Sequence, residues 1–145
     1  MSGSSLSSRL GPWWSLFSAT GTKYGKNGTY KNAWCSGCVT KHIERNHSYD
    51  QAEITLGNLS EGRSDDELRR LALGPKALTE AELQASPFAA WEAQNAVEPI
   101  YGRACTMAAH ATRCHNLDPE RVKSIVAEVA RLQDVEKRAK ELKAG

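Results

Sequence analysis

The feature that most limits what this chain can fold into is a pair of short metal-ligand motifs set far apart. Cys35-Ser36-Gly37-Cys38 holds two thiols with a glycine in the turn between them. Such a turn aims backbone N–H groups at both sulfurs. It suits one half of a tetrahedral site, in which thiolates bind zinc at about 2.3 Å. The other half is His110-Ala111-Thr112-Arg113-Cys114, an imidazole and a thiol four residues apart. On a helix these two side chains share a face. Cys35, Cys38, His110 and Cys114 thus form a closed four-ligand set, expected to hold one structural zinc ion. Any fold must then bring residues 35–38 and 110–114 together.

His115 is the alternative to Cys114, because paired histidines at that spacing also serve zinc; the thiolate is preferred. Cys105 is not needed and is assigned to packing, as free cysteines are often buried. His42 and His47 are read as exposed loop histidines. Four cysteines would also allow two disulfides. However, the sequence shows no apolar leader and no apolar run long enough to span a bilayer. Intracellular thiols kept reduced for metal are therefore expected, and no membrane partner. The glycosylation-type patterns at Asn27, Asn46 and Asn58 are read as chance.

Two enzyme classes are set aside. Trp34-Cys35-Ser36-Gly37-Cys38 looks like a thioredoxin-type redox motif, which needs a buried apolar strand before it; residues 28–33 are too polar for that. His42-Ile43-Glu44 is similar to the H-x-E of zinc deaminases, but there the paired cysteines follow it at long range, whereas here they precede it. No nucleophile–base pair or phosphate-binding glycine loop is seen, and a non-enzyme is expected.

Charge is unevenly placed. The net charge is only +2, yet residues 1–50 carry six Lys/Arg against two Asp/Glu and residues 101–145 nine against six. Residues 51–100 carry four against nine. Both ligand-bearing segments are basic and the segment between them is acidic, which points to an anionic polymer at the metal end.

In chain order, residues 1–11 are Ser/Gly-rich and read as a disordered tail. Pro12-Trp13-Trp14-Ser15-Leu16-Phe17 is an aromatic cluster suited to a small core. Asn27-Gly28 signals a hairpin turn. Thr29 to Trp34 alternates as a strand, with Tyr30 and Trp34 on one face and Lys31 on the other, and a second short strand is expected from Val39 to Ile43. Residues 44–63 read as polar and irregular. Ser64-Asp65-Asp66-Glu67 and Thr79-Glu80-Ala81-Glu82 are capping boxes that open short helices, and Gly74-Pro75 stops the first. Ser86-Pro87 restarts or kinks the second, with Phe88 and Trp91 on one side, and Glu98-Pro99 closes the segment. Residues 102–117 should form the helix that carries His110 and Cys114. Asp118-Pro119-Glu120 then caps a last helix to about Leu142. Its stripe Val122, Ile125, Val129, Leu132 needs a partner surface, either the aromatic cluster or the same helix of a second subunit; the homodimer is the preferred expectation.

Taken together, Trp14 and Phe17, Ala33 before Cys35, Cys38, Met107 before His110, and Cys114 resemble the BED-type zinc finger. That family occurs in transcription and chromatin proteins and in hAT-type transposases. The resemblance covers residues 12–43 and 101–117 and implies a β-hairpin packed on a helix across the metal, the helix entering the major groove of double-stranded DNA. The 71 residues between the ligand pairs (39–109) exceed the family's usual interval; a helical insertion over residues 44–100 accounts for the excess, since loop closure grows costlier only slowly with length. The expected fold is thus α+β: a zinc-stapled domain over residues 12–117 and a C-terminal helix over 118–145. By this resemblance Arg103, Thr106 and Arg113 face bases, while Lys23, Lys26, Lys31 and Lys41 on the hairpin contact phosphates. A nuclear transcription regulator or transposase-derived protein is expected. The alternative is a zinc-stapled protein-interaction module.

Overall fold

One short strand divides the molecule into two cores. In the computed structural model, which describes residues 11–25 and 30–144, strand β2 (Asn32–Cys35) is the middle of a three-stranded antiparallel sheet. β1 (Phe17–Ser18) pairs with it in the register Phe17↔Cys35, and β3 (Ile100–Tyr101) in the register Ala33↔Ile100. All four residues of β2 are buried. Successive side chains on a strand point to opposite faces, so Ala33 and Cys35 enter one core and Trp34 the other. The first core gathers Trp13, Leu16, Phe17, Met107 and Ala111; the second gathers Trp34, Val39, Ala72 and Ala77. The architecture is α+β, as the sequence indicates.

The hairpin leading into β2 is bracketed by a bridge between Lys23 and Lys31 and by the Tyr24 amide donating to the Tyr30 carbonyl at 2.9 Å. The Asn27-Gly28 turn itself, with Lys26 and Thr29, lies outside the described residues, as do residues 1–10 of the expected tail over residues 1–11; its last residue, Gly11, opens a 3-10 turn (Gly11–Ser15).

The chain after β2 departs from expectation. No strand forms over Val39–Ile43, and residues 44–55 are not irregular. Helix α1 (Ser36–Thr55) starts immediately after Cys35, which is its N-cap. The reason is the face it buries. Val39, Ile43, Asn46 and Asp50 recur at helical spacing, but the last two are polar and so hide the period. Asp50 is only 1 % exposed and is neutralised by Arg63. The guanidinium donates to its carboxylate through Nη2 at 2.7 Å and through Nε at 3.1 Å, and the Arg63 backbone amide adds 3.0 Å. Arg63 Nη2 also reaches Asn46 Oδ1 at 3.3 Å. A buried carboxylate is tolerated only with such partners.

The insertion is helical, as expected, with α1 running straight through its expected start at residue 44. Helix α2 (Asp65–Leu73) is capped by Ser64 Oγ, which accepts from the Glu67 amide at 3.2 Å, and ends at Gly74, whose φ of 74° suits glycine. Leu68, Leu71 and Ala72 are its buried face. A 3-10 turn (Pro75–Ala77) leads to α3 (Glu80–Ala85), opened by the Thr79–Glu82 capping box, and α4 (Ala90–Asn95) follows. The insertion is tied back to the sheet: Trp34 Nε1 donates to the Leu73 carbonyl at 3.1 Å, and the buried Asn32 amide donates to Thr22 Oγ1 at 3.0 Å and to the Lys76 carbonyl at 3.3 Å.

Helix α5 (Ala104–Ala111) is shorter than expected. Thr112 Oγ1 donates back to the Ala108 carbonyl and Arg113 Nε to that of Ala109, both at 3.0 Å. These side chains take up the terminal carbonyls, and the chain leaves the helix before Cys114. Helix α6 (Pro119–Ala144) closes the fold, with the Asp118 carboxylate accepting from the Glu120 amide at 3.1 Å. The partner of its apolar stripe is the aromatic cluster of its own domain: Val122 and Ile125 are buried beside Trp13 and Leu16, and Val129 packs at their edge.

Candidate metal centre

β2, α1, α5 and the turn after α5 each deliver part of one site. Cys35 ends β2, and Cys38 sits on the first turn of α1. His110 lies on the last turn of α5, and Cys114 lies in the turn beyond it rather than on the helix. Their ligand atoms all lie within 4.8 Å of one another, close enough to hold a metal ion. Cys35 Sγ is 3.8 Å from Cys114 Sγ, and Cys38 Sγ is 3.6 Å from Cys114 Sγ and 3.7 Å from His110 Nε2. A tetrahedron with bonds of about 2.3 Å to sulfur and about 2.0 Å to nitrogen has edges of roughly 3.5–3.8 Å. These three pairs stand at that spacing, and all four donors lie within 4.8 Å of one another. Disulfide bonds do not form among them; all four cysteines are free.

Burial in this site favours neutral ligand groups when no ion is bound. Cys35 is buried, and burial pushes its thiol up to about 12; the Cys38 amide, aimed at its sulfur, opposes this only in part. Burial also raises the Cys38 thiol, against a hydrogen bond from Asn116 Nδ2, whose distance to Cys38 Sγ is 3.6 Å. Burial, then the nearby Arg113 charge, lowers His110, which favours the neutral imidazole that binds metal. A bound divalent ion would hold such thiols deprotonated. Phe17 packs edge-on against the His110 ring, the centroids 5.8 Å apart.

Gly37 is a positional requirement. A Cβ there would stand 2.2 Å from the Asn116 carbonyl oxygen and 3.0 Å from Leu117 Cδ2. The loop that carries Cys114 therefore lies directly on the backbone of the first cysteine motif. Gly37 and Asn116 are functional residues that ligand spacing alone does not identify. The glycine between the cysteines was the available signal for the first, and Asn116 leaves none.

Cys105 is exposed on α5, not packed, because its helical position points away from the core side held by Met107 and Ala111. His115 is exposed and stands outside the ligand cluster. His42 and His47 lie on α1, not in a loop. His42 Nε2 meets the Asn95 carbonyl and His47 Nε2 the Asp65 carboxylate, each at 2.9 Å. Trp14 is half-buried, while Phe17, Ala33 and Met107 are buried, all on the metal side of β2.

Of the residues expected to meet DNA, Arg103 is the exposed N-cap of α5, Thr106 is half-buried on that helix, and Arg113 is exposed just past it. Lys23 and Lys31 are exposed on the hairpin. Lys41 is exposed but lies on α1, a correction that follows from the helix replacing the expected second strand. Lys26 lies outside the described residues. The outward face of α5 also carries Cys105 and Ala109, both exposed and small.

Comparison with protein-family models, with curated proteins and with solved structures finds no match to this chain.

Proposed function

We propose that this chain is a zinc-stapled DNA-binding domain of the BED type, belonging to a nuclear transcription regulator or a transposase-derived protein, and that it is not an enzyme. The observation that supports this most is the ligand cluster itself. Three thiols and an imidazole from segments more than seventy positions apart stand at zinc-site spacing, beside an exposed basic helix end. α5 then enters the major groove. Cys105 and Ala109 are short enough to let its backbone approach the bases. Arg103 and Arg113 flank that face, and arginine reads guanine through O6 and N7. Lys23 and Lys31 bind phosphates and set register. Two copies pair through the distal part of α6, where Val135 and Leu142 are 52 % and 82 % exposed.

The test is fluorescence anisotropy with random and selected duplexes over a salt series, on protein of measured zinc content. Affinity should fall steeply with salt. Arg103→Ala should cost about 1–3 kcal/mol on the selected site only, and Lys31→Ala should weaken all duplexes and reduce the salt slope by about one. Salt-independent binding, or equal loss on every duplex for Arg103→Ala, would defeat the reading.

A second reading, a protein-interaction module, is favoured by a different observation. Tyr49, Leu59 and Trp91 are exposed and line one cleft of about 840 Å³ on the acidic insertion. That face repels a phosphate backbone and offers apolar anchors instead.

A further inference from the structure

We infer that a groove between α6 and the loop over residues 112–117 receives an acidic amphipathic helix from a protein partner. The groove has a volume of about 570 Å³. Its floor is Leu117, Val122, Val126, Ala127 and Ala130, and Val126 is left 44 % exposed. Val122, Val126 and Ala130 stand on successive turns of α6, so the floor is about 12 Å long. Two turns of a docked helix, with apolar anchors at i, i+3 or i+4, and i+7, match that length. Ala127 and Ala130 keep the floor low enough for a helix to lie close.

The rim selects the charge of the occupant. Arg113, His115 and Lys123 line it, and no carboxylate among the described residues does. Arg113 uses Nε on the Ala109 carbonyl, which leaves its terminal nitrogens for an incoming acid. Lys123 touches Glu120 at 3.6 Å, an exposed pair of the kind that contributes little. A phosphate backbone would find the cations but would also cover the apolar floor with charge, which is unfavourable. An amphipathic helix with acidic flanks satisfies both floor and rim.

The wall of the groove is the loop that carries Cys114 and Asn116, so the inference rests on the metal centre for its shape and is independent of the DNA reading. Arg113 borders both the groove and the outward face of α5, so a bound helix would compete with DNA for it.

The test is selection from a random peptide display library against the zinc-loaded full chain, with Val126→Asp as the counter-target. Enriched peptides should be rich in Asp and Glu, with apolar residues at 3-4 spacing. A synthetic copy of one of them should lose about tenfold or more in affinity against Val126→Asp and against Lys123→Glu. Both positions are exposed, so zinc content and melting temperature should stay at the parent's values. Should Val126→Asp disturb folding, Ala130→Leu, which fills the floor from an exposed position, should weaken the same peptide. Enrichment of basic or non-helical peptides, or binding that survives these changes, would overturn the inference. So would self-association abolished by Val126→Asp, which would make the occupant a second copy, or duplex binding abolished by it, which would assign the groove to DNA. Failure to bind any duplex while the acidic peptide still binds would sink the DNA reading and leave this one standing.

Discussion

Gly37→Ala adds one methyl group at the most crowded point of the metal centre. The new Cβ would sit 2.2 Å from the Asn116 oxygen and 2.6 Å from its carbonyl carbon, roughly 1 Å inside an ordinary contact. These are backbone atoms, so no side-chain rotation relieves the clash. Either the first turn of α1 or the loop from Cys114 to Leu117 must move. Each carries a metal ligand, and ligand distances tolerate about 0.2 Å. Overpacking of this kind costs about 1–3 kcal/mol, or about 5- to 150-fold in zinc affinity if the strain falls on the site. The intrinsic preference runs the other way. Gly37 lies within α1, and alanine is better than glycine in a helix by about 1 kcal/mol. The sign of the outcome therefore decides the argument. Competition with a chromogenic chelator, paired with thermal melting of the zinc-loaded protein, should show weaker zinc binding and a lower melting temperature for Gly37→Ala. Ser36→Ala serves as the control. A variant that binds zinc as tightly as the parent and melts higher would refute the close approach of residues 114–117 to α1.

Replacing Cys35, Cys38, His110 or Cys114 singly should abolish stoichiometric zinc in metal analysis, whereas Cys105→Ser should retain it; retained zinc in any of the four would remove that residue from the site. Arg63→Met leaves the carboxylate of Asp50 buried without its ion-pair partner, keeping only the backbone amide of residue 63, and should cost about 3 kcal/mol, the low end for a broken buried pair, because the Arg63 side chain is 27 % exposed; denaturant titration measures it. Arg63 holds the Asp50 carboxylate below its ordinary range. Its stabilising contribution should therefore be complete above about pH 5 and fade as pH falls below about 4. A difference between the parent and Asp50→Asn that does not shrink there would contradict the pairing. Truncation after Leu117 removes Val122 and Ile125 from the first core, worth about 3–6 kcal/mol. It should lower the melting temperature sharply at any protein concentration, while truncation after Leu132, which removes only the proposed pairing segment, should leave the melting temperature of the dilute monomer unchanged.

The four-residue cluster was legible in the sequence alone, because ligand chemistry is written in residue type and spacing. Cys35, Cys38, His110 and Cys114 needed no knowledge of the 71 residues (39–109) between them. Caps were legible for a similar reason. Ser64, Thr79 and Asp118 act through local side-chain bonds to nearby amides. What failed depended on tertiary partners. α1 was concealed because Asn46 and Asp50 occupy its inward positions, and their acceptability is set by Arg63, thirteen residues beyond Asp50. The early end of α5 was concealed too. Alanine-rich residues 104–111 favour continuing the helix, while Thr112 and Arg113 divert the terminal carbonyls.

The strand that both ends of the insertion share lets a long insertion coexist with a four-ligand cluster. Residues 36–99 leave the sheet at the end of β2 and return at β3, which pairs with β2 directly. Both ends of the insertion are thus fixed to one strand, four residues long. Trp34 and Asn32 hold the helical layer to the sheet through the Leu73 and Lys76 carbonyls. Ala33 and Cys35 face the metal side. The long interval therefore adds little closure entropy to metal binding, because folding of the insertion already brings residue 100 to residue 33. Trp34→Ala tests this coupling. It opens a cavity on the insertion side, at about 3–5 kcal/mol, in the core opposite the one that holds Cys35. If β2 transmits order between the cores, zinc affinity should fall together with hydrogen-exchange protection of α2. Unchanged zinc affinity with α2 unprotected would mean that the metal site closes on its own.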